Sequence, residues 1–391
     1  MDGEEEPVKK KRRLLGIVFS FLSLAVFTLI AISLISGRGL PLSRLVGFLS
    51  PDVPGGMSDE FFFNVGRNRA FAELASGSLA AAGTLGIQVL DSDGSELLRD
   101  PYRMSSPALV AESGKAIAFD IGGSAVRVFN KSEIIASIES RGAIVSASIN
   151  QNGWFCVCSQ DGGGFGGSVT VYNSRGGSVF RFDSGVADSG YILSAVLSPD
   201  NRSMAVLTLA GNGSKVTIFS LDEESSVWTT ELSDVLALDI RVLPSGNILV
   251  ISTQSLFTID INGEVQELYE FSDRRLVAYL LDGGFITLHL LDYGVGYNGR
   301  LITLGADGTL LGQFVTDREI VSMSSGGGYL AVLRSDGAVF FSAELSELHP
   351  SDESLSAAGA IRILALDRGA ALAAGDHSAV VIGISDLSGG D

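Results

Sequence analysis

Between residues 77 and 374 the chain repeats one arrangement of apolar runs and polar turns eight times. Its clearest copy spans 237–269, ALDIRVLPSGNILVISTQSLFTIDINGEVQELY. That copy reads as strand, Pro-Ser-Gly turn, strand, short link, strand, Asn-Gly turn, strand. Gly77, Gly114, Gly153, Asn201, Gly246, Gly284, Gly328 and Gly369 each stand just ahead of an apolar run. Glycine and asparagine tolerate the positive φ that such turns demand. The runs that follow are AAAG, KAIAF, WFCVC, MAVLTL, NILVIS, FITLHL, YLAVL and ALAA. They are apolar on both faces, as strands sandwiched between neighbouring sheets must be. A third strand follows in every copy, as in VTIFSLDE and FTIDINGE, and usually ends in a second turn.

Successive markers are separated by 37 to 48 residues, with a mean of about 42, the period of repeats that bury a core only by stacking. Four short strands in ~40 residues make one blade of a β-propeller. The expected fold is therefore all-β, an eight-bladed propeller over residues 61–391, with seven blades as the alternative because the first and last copies are weakest. The last copy stops after its third strand, AVVIGISDL. A ring left open there would expose an edge, so the strand at Phe61–Val65 is expected to supply the missing fourth strand and close the disc.

Ahead of the repeats the pattern changes completely. Residues 1–13 end in Lys9, Lys10, Lys11, Arg12 and Arg13, and 14–36 is a charge-free apolar stretch of 23 residues. As a helix it would be about 35 Å long, enough to cross a hydrocarbon core of about 30 Å. It is longer than a cleaved signal's apolar region and lacks a small-residue cleavage site. We read 1–13 as a cytoplasmic basic tail, 14–36 as a single transmembrane signal anchor and 37–60 as a Pro/Gly-containing linker. The basic flank places the tail in the cytoplasm and the propeller outside, in the cell envelope.

Composition narrows the partners. Forty-eight glycines and nine prolines in 391 residues suit many tight turns. The net charge is −18, and beyond residue 13 there are 22 basic against 41 acidic groups, a net of −19. So acidic a domain repels phosphate backbones, and nucleic acid is excluded as a partner class. Cys156 and Cys158, the two cysteines, lie on one strand with Cα atoms about 6.6 Å apart, which reads as a pair of small core residues.

Candidate chemistry is sparse. The longest links join the second and third strands of the third copy (160–168), the fourth (210–215) and the sixth (291–300), and enter the fourth copy at 183–191. Loops with aromatics on a rigid scaffold are where binding resides, which makes Phe165, Tyr191, Tyr293, Tyr297 and Arg300 the candidate partner-binding residues. Glu73, Glu112, Asp239, Arg241 and Asp367 are the charged residues placed to converge on a central channel. His289, His349 and His377 fall in separate copies without metal-ligand spacing, and His289 reads as a core residue. Asp91-Ser92-Asp93-Gly94 lacks the later ligands of a calcium loop and reads as a hairpin turn. The glycines at 162–167 precede no helix, so they form no phosphate cradle. Sequons begin at Asn130, Asn201 and Asn212. No catalytic residue, cofactor or metal site is expected.

The repeat unit resembles those of the broad superfamily of quinoprotein-like and WD-repeat propellers. The tryptophan closing each quinoprotein repeat is missing, since Trp154 and Trp228 stand alone, and the Gly-His and Trp-Asp dipeptides of WD repeats are absent. The basic tail, single span and Gly/Ser-rich propeller together resemble bacterial membrane-anchored propellers of unassigned function. The resemblance implies the fold and no catalytic residues. The expected function is a non-enzymatic binding or scaffold module with a protein partner in the cell envelope. The alternatives are a quinone-dependent oxidoreductase or extracellular hydrolase or lyase, and a structural subunit of an envelope assembly.

Overall fold

A computed structural model describes residues 60–385 other than 75–76, 161–164, 186–189, 224, 282–283, 294–297, 351–358 and 368. The expected anchor at 14–36 and nearly all of the linker lie outside the described residues. Among those described, no helix is long and apolar enough to cross a membrane.

Each repeat folds into one antiparallel four-stranded sheet, and there are eight. Blades one to seven occupy 70–100, 107–139, 143–185, 191–233, 237–270, 274–316 and 320–348. Blade eight combines 362–383 with Glu60–Phe62. The 237–269 repeat resolves into Ala237–Val242, Ile248–Ser252, Ser255–Ile259 and Val265–Glu270, one strand per predicted segment. All eight marker residues have positive φ, from 62° at Asn201 to 88° at Gly284. The turn chemistry that sets the register in the sequence is thus the turn chemistry of the fold.

The second strands are the buried centre of each blade. Ser78–Gly83, Ile248–Ser252 and Ala370–Ala374 have no exposed position. Their side chains alternate between two neighbouring blades, so the core is not one mass but eight apolar clusters, each between two adjacent blades. The last of these closes the ring. Glu60–Phe62 pairs with Ser378–Gly383 in the register Glu60↔Val380, Phe61↔Ala379, Phe62↔Ser378, as the truncated last repeat requires. Phe61, Phe63 and Val65 then pack between blade one and blade eight with Leu79, Leu90, Leu372 and Val381.

One of the expected long links is a tight hairpin, and a second is strand at its described end. Ala210 and Gly213 pair directly, so the fourth-blade link is a two-residue hairpin. In blade three, Phe165–Tyr172 takes up the end of the glycine-rich stretch, from 165 to 168. The reason is packing. A Cβ on Gly166 would run into the Gly190 carbonyl, and one on Gly190 into the Leu209 carbonyl. These glycines let the extended hairpins of blades three and four approach backbone to backbone.

Candidate functional site

In a sheet of order one to four, the start of strand one, the end of strand two, the start of strand three and the end of strand four share one end. Links that enter each blade therefore lie on one face of the disc, the entry face, together with the hairpins between second and third strands. The first strands of neighbouring blades lie mostly against one another, so they form the channel wall.

Five of these eight wall strands carry a β-bulge. Register shifts fall between Ile144 and Ser146, Ile192 and Ser194, Ala237 and Asp239, Leu276 and Ala278, and Ile320 and Ser322. The residues left over are Val145, Leu193, Leu238, Val277 and Val321, all aliphatic. A bulge puts one extra residue opposite a single partner and re-aims its side chain. Val145 and Leu193 rest against clusters between blades. Leu238, Val277 and Val321 remain exposed on the wall strands of blades five, six and seven. The bulges also set hydroxyls against the next blade: Ser146 Oγ donates to the Leu193 carbonyl at 3.0 Å and Ser148 Oγ to that of Ala195 at 2.8 Å. In blade seven, Ser322 and Ser324 accept from Ile363 N and Ala365 N.

At the entry face the channel opens into a cup of about 1410 Å³. Blades one and eight supply Arg67, Arg69 and Arg362, and the hairpin of blade eight adds Asp376 and His377. Exposed aliphatic side chains stand among them: Ile121, Val321 and Ile361. Arg69 is the fixed member, its side chain 9% exposed, with Nη1 donating to Asp376 Oδ1 at 2.7 Å. Its Nε has no hydrogen-bond partner among the described residues. Arg67 follows Gly66, whose φ of +88° and crowding against Thr84 and Leu85 leave no room for a side chain. Tyr279 lines the far wall; burial pushes its phenol up to about 12, and the Asp239 carboxylate adds to the shift. It stays a neutral hydroxyl at any physiological pH.

The opposite mouth is smaller and mostly apolar. About 380 Å³ is lined by Leu197, Leu243, Leu281 and Phe285, with Glu112 and Arg241 among them.

The predicted residues distribute over these features unevenly. Glu112 and Arg241 both line the smaller mouth. Glu73 lies elsewhere: its carboxylate accepts from Asp367 N at 2.9 Å and ties blade one to blade eight. Asp239 accepts from Ile240 N. Of the loop candidates, Tyr191 begins the first strand of blade four and is exposed. Phe165 pairs through its backbone with Gly185, close to Tyr191 because Gly166 abuts Gly190. Tyr293, 74% exposed, and Arg300, which pairs with Leu290 and Val315, belong to blade six. Tyr297 lies outside the described residues. Tyr191, Tyr293 and Arg300 do not line the cup. Sequence reasoning passed over Arg67, Arg69 and Arg362; their one signal is position, immediately before or at the start of a wall strand. Cys156 and Cys158 are core residues of one cluster, and burial pushes the Cys156 thiol up to about 11. His289 is buried in blade six.

A family model described as a family of unknown function (DUF5711) matches residues 66–339. The chain belongs to that family. The match runs from the arginine-bearing entry of blade one into the third strand of blade seven. No functionally curated protein matches the sequence. Among solved structures the chain is similar to BamB from Moraxella catarrhalis, with 13% identity, a TM-score of 0.51, and coverage of 84% of this chain and 98% of that one. The C-terminal WD40 domain of Sif2 is similar at 11% identity and a TM-score of 0.56, covering 84% of this chain and 99% of that one. The quinohemoprotein alcohol dehydrogenase ADHIIG from Pseudomonas putida HK5 is similar at 12% identity and a TM-score of 0.52, covering 86% and 76%. At such identities the likeness is one of fold.

Proposed function

We propose that this DUF5711 protein is a membrane-tethered, extracytoplasmic binding module that holds a protein partner on the entry face of its propeller, without enzymatic activity of its own. The observation that carries the reading is the cup, where arginines and exposed aliphatic side chains share one wide concavity. Arginine beside Tyr279 and Met323 in the same cup matches the residue types enriched at interface cores, and the exposed aliphatic groups add apolar area to cover. The charge-free stretch at 14–36 behind five basic residues supports the tether and its orientation.

Two measurements test the two halves separately. Protease added to intact cells is expected to remove the propeller and spare the tail; full protection would overturn the location. Crosslinking of the membrane-solubilised full chain is expected to yield one reproducible protein adduct from the entry face. An adduct that maps only to the opposite face would overturn the site.

A further inference from the structure

We infer that the cup takes an extended acidic segment of the partner, in which carboxylate side chains alternate with aliphatic ones. The inference rests on the binding-module reading and deepens it. Three guanidinium groups, Arg67, Arg69 and Arg362, meet one carboxylate, Asp376, in the cup. That makes a local cationic surplus in a domain whose groups beyond residue 13 sum to −19. Low-dielectric walls concentrate such a field toward the channel mouth and draw in anions.

The geometry favours carboxylates over other anions bound singly. Arg69 is held in place by burial and by Asp376, yet its Nε lacks a partner among the described residues. A planar guanidinium can donate to both oxygens of a carboxylate from two nitrogens at once. Arg67 and Arg362 are exposed and free to close over further acidic groups. A small anion would leave most of about 1410 Å³ unfilled, since pockets for small molecules run to roughly 1,000 Å³. It would also leave Ile121, Val321 and Ile361 in water. In an extended segment, successive side chains point to opposite sides, so carboxylates reach the arginines of blades one and eight while aliphatic groups cover Val321 and Ile361.

The test uses the full chain in detergent micelles and fluorescein-labelled octapeptides, read by anisotropy. One peptide alternates Glu with Leu, a second Gln with Leu, and a third Glu with Ser. The Glu-Leu peptide is expected to bind, to weaken at least tenfold in Arg67→Gln/Arg362→Gln, and to weaken as salt is raised. Both positions are exposed, so the variant keeps the fold, checked by an unchanged melting temperature. Each control peptide is expected to bind at least tenfold more weakly. Equal binding of the Gln-Leu peptide, an unaffected double variant, or complete displacement by millimolar phosphate would overturn the acidic-segment proposal. No binding of any peptide would also overturn it, while the crosslinked partner on the entry face would still stand.

Discussion

The channel wall has two unlike arcs. Blades three to seven carry a bulge in the first strand, whereas the first strands of blades eight, one and two pair without one. The bulged arc presents an aliphatic residue at the same place in every blade. The straight arc contains the ring closure and supplies the arginines of the cup. A repeated sequence therefore yields a disc that is uniform in its blades and polarised around its axis, by bulge register in one arc and by arginines at or ahead of the first strands in the other.

The sharpest way to break this contrast is at the closure. Phe61→Ala removes a ring that is 1% exposed between blades eight and one, a loss of about 3–5 kcal/mol; deleting 58–66 is expected to abolish a cooperative thermal transition. Next comes the glycine contact beside the bulged strand of blade four. Gly190 has φ +82° and a Cβ there would meet the Leu209 carbonyl, so Gly190→Ala should cost about 2–3 kcal/mol by denaturant titration. Gly284→Ala shares the positive φ but meets nothing within 4 Å, and about 1 kcal/mol is expected. Within the bulged arc, Ser148→Ala removes the tie to Ala195 and should cost about 1 kcal/mol. Val277→Asp, on an exposed bulge, should shift stability by no more than about 0.5 kcal/mol.

An acid titration probes the interface of blades six and seven. His289 is buried, both ring nitrogens lack hydrogen-bond partners among the described residues, and burial lowers its pKa below 6.5. Above pH 6.5 folded and unfolded chains both hold it neutral, and it contributes no pH dependence. Below that, the unfolded chain takes up a proton that the folded chain refuses. Its contribution to the stability slope then approaches about 1.4 kcal/mol per pH unit until the folded-state pKa is reached. His289→Leu is expected to flatten this slope between pH 6.5 and 5, measured by urea midpoints against pH.

Much of the disc was legible because turns announce themselves. Every one of the eight marker residues sits at positive φ, and the missing strand at the end of the last repeat implied closure by 61–65, where the pairing strand proves to be Glu60–Phe62 on Ser378–Gly383. The bulges were not legible, because a bulge is defined by the partner strand opposite it and leaves no local mark on Val277 or Val321. Gly166 and Gly167, at the end of the glycine run, misled for a related reason. Local rules read them as loop, whereas Gly166 serves a backbone contact with Gly190, some 25 residues away, and Gly167 lies close to the Ser159 carbonyl and the Ile192 side chain. Arg69 gave no signal beyond its position, since its partner Asp376 is brought beside it only when the ring closes.

That closure has a consequence for synthesis. Glu60 pairs with Val380, so among the described residues the first strand to leave the ribosome waits for the last. Blades one to seven can each form as their own residues emerge, with strands joined by short links. The seam cannot, and until residue 380 is available both the outer edge of blade eight and the inner face of blade one stay uncovered. Nascent or truncated chains that end before 378 are expected to hold seven blades and an open seam, the form of this protein most prone to pair with another copy of itself.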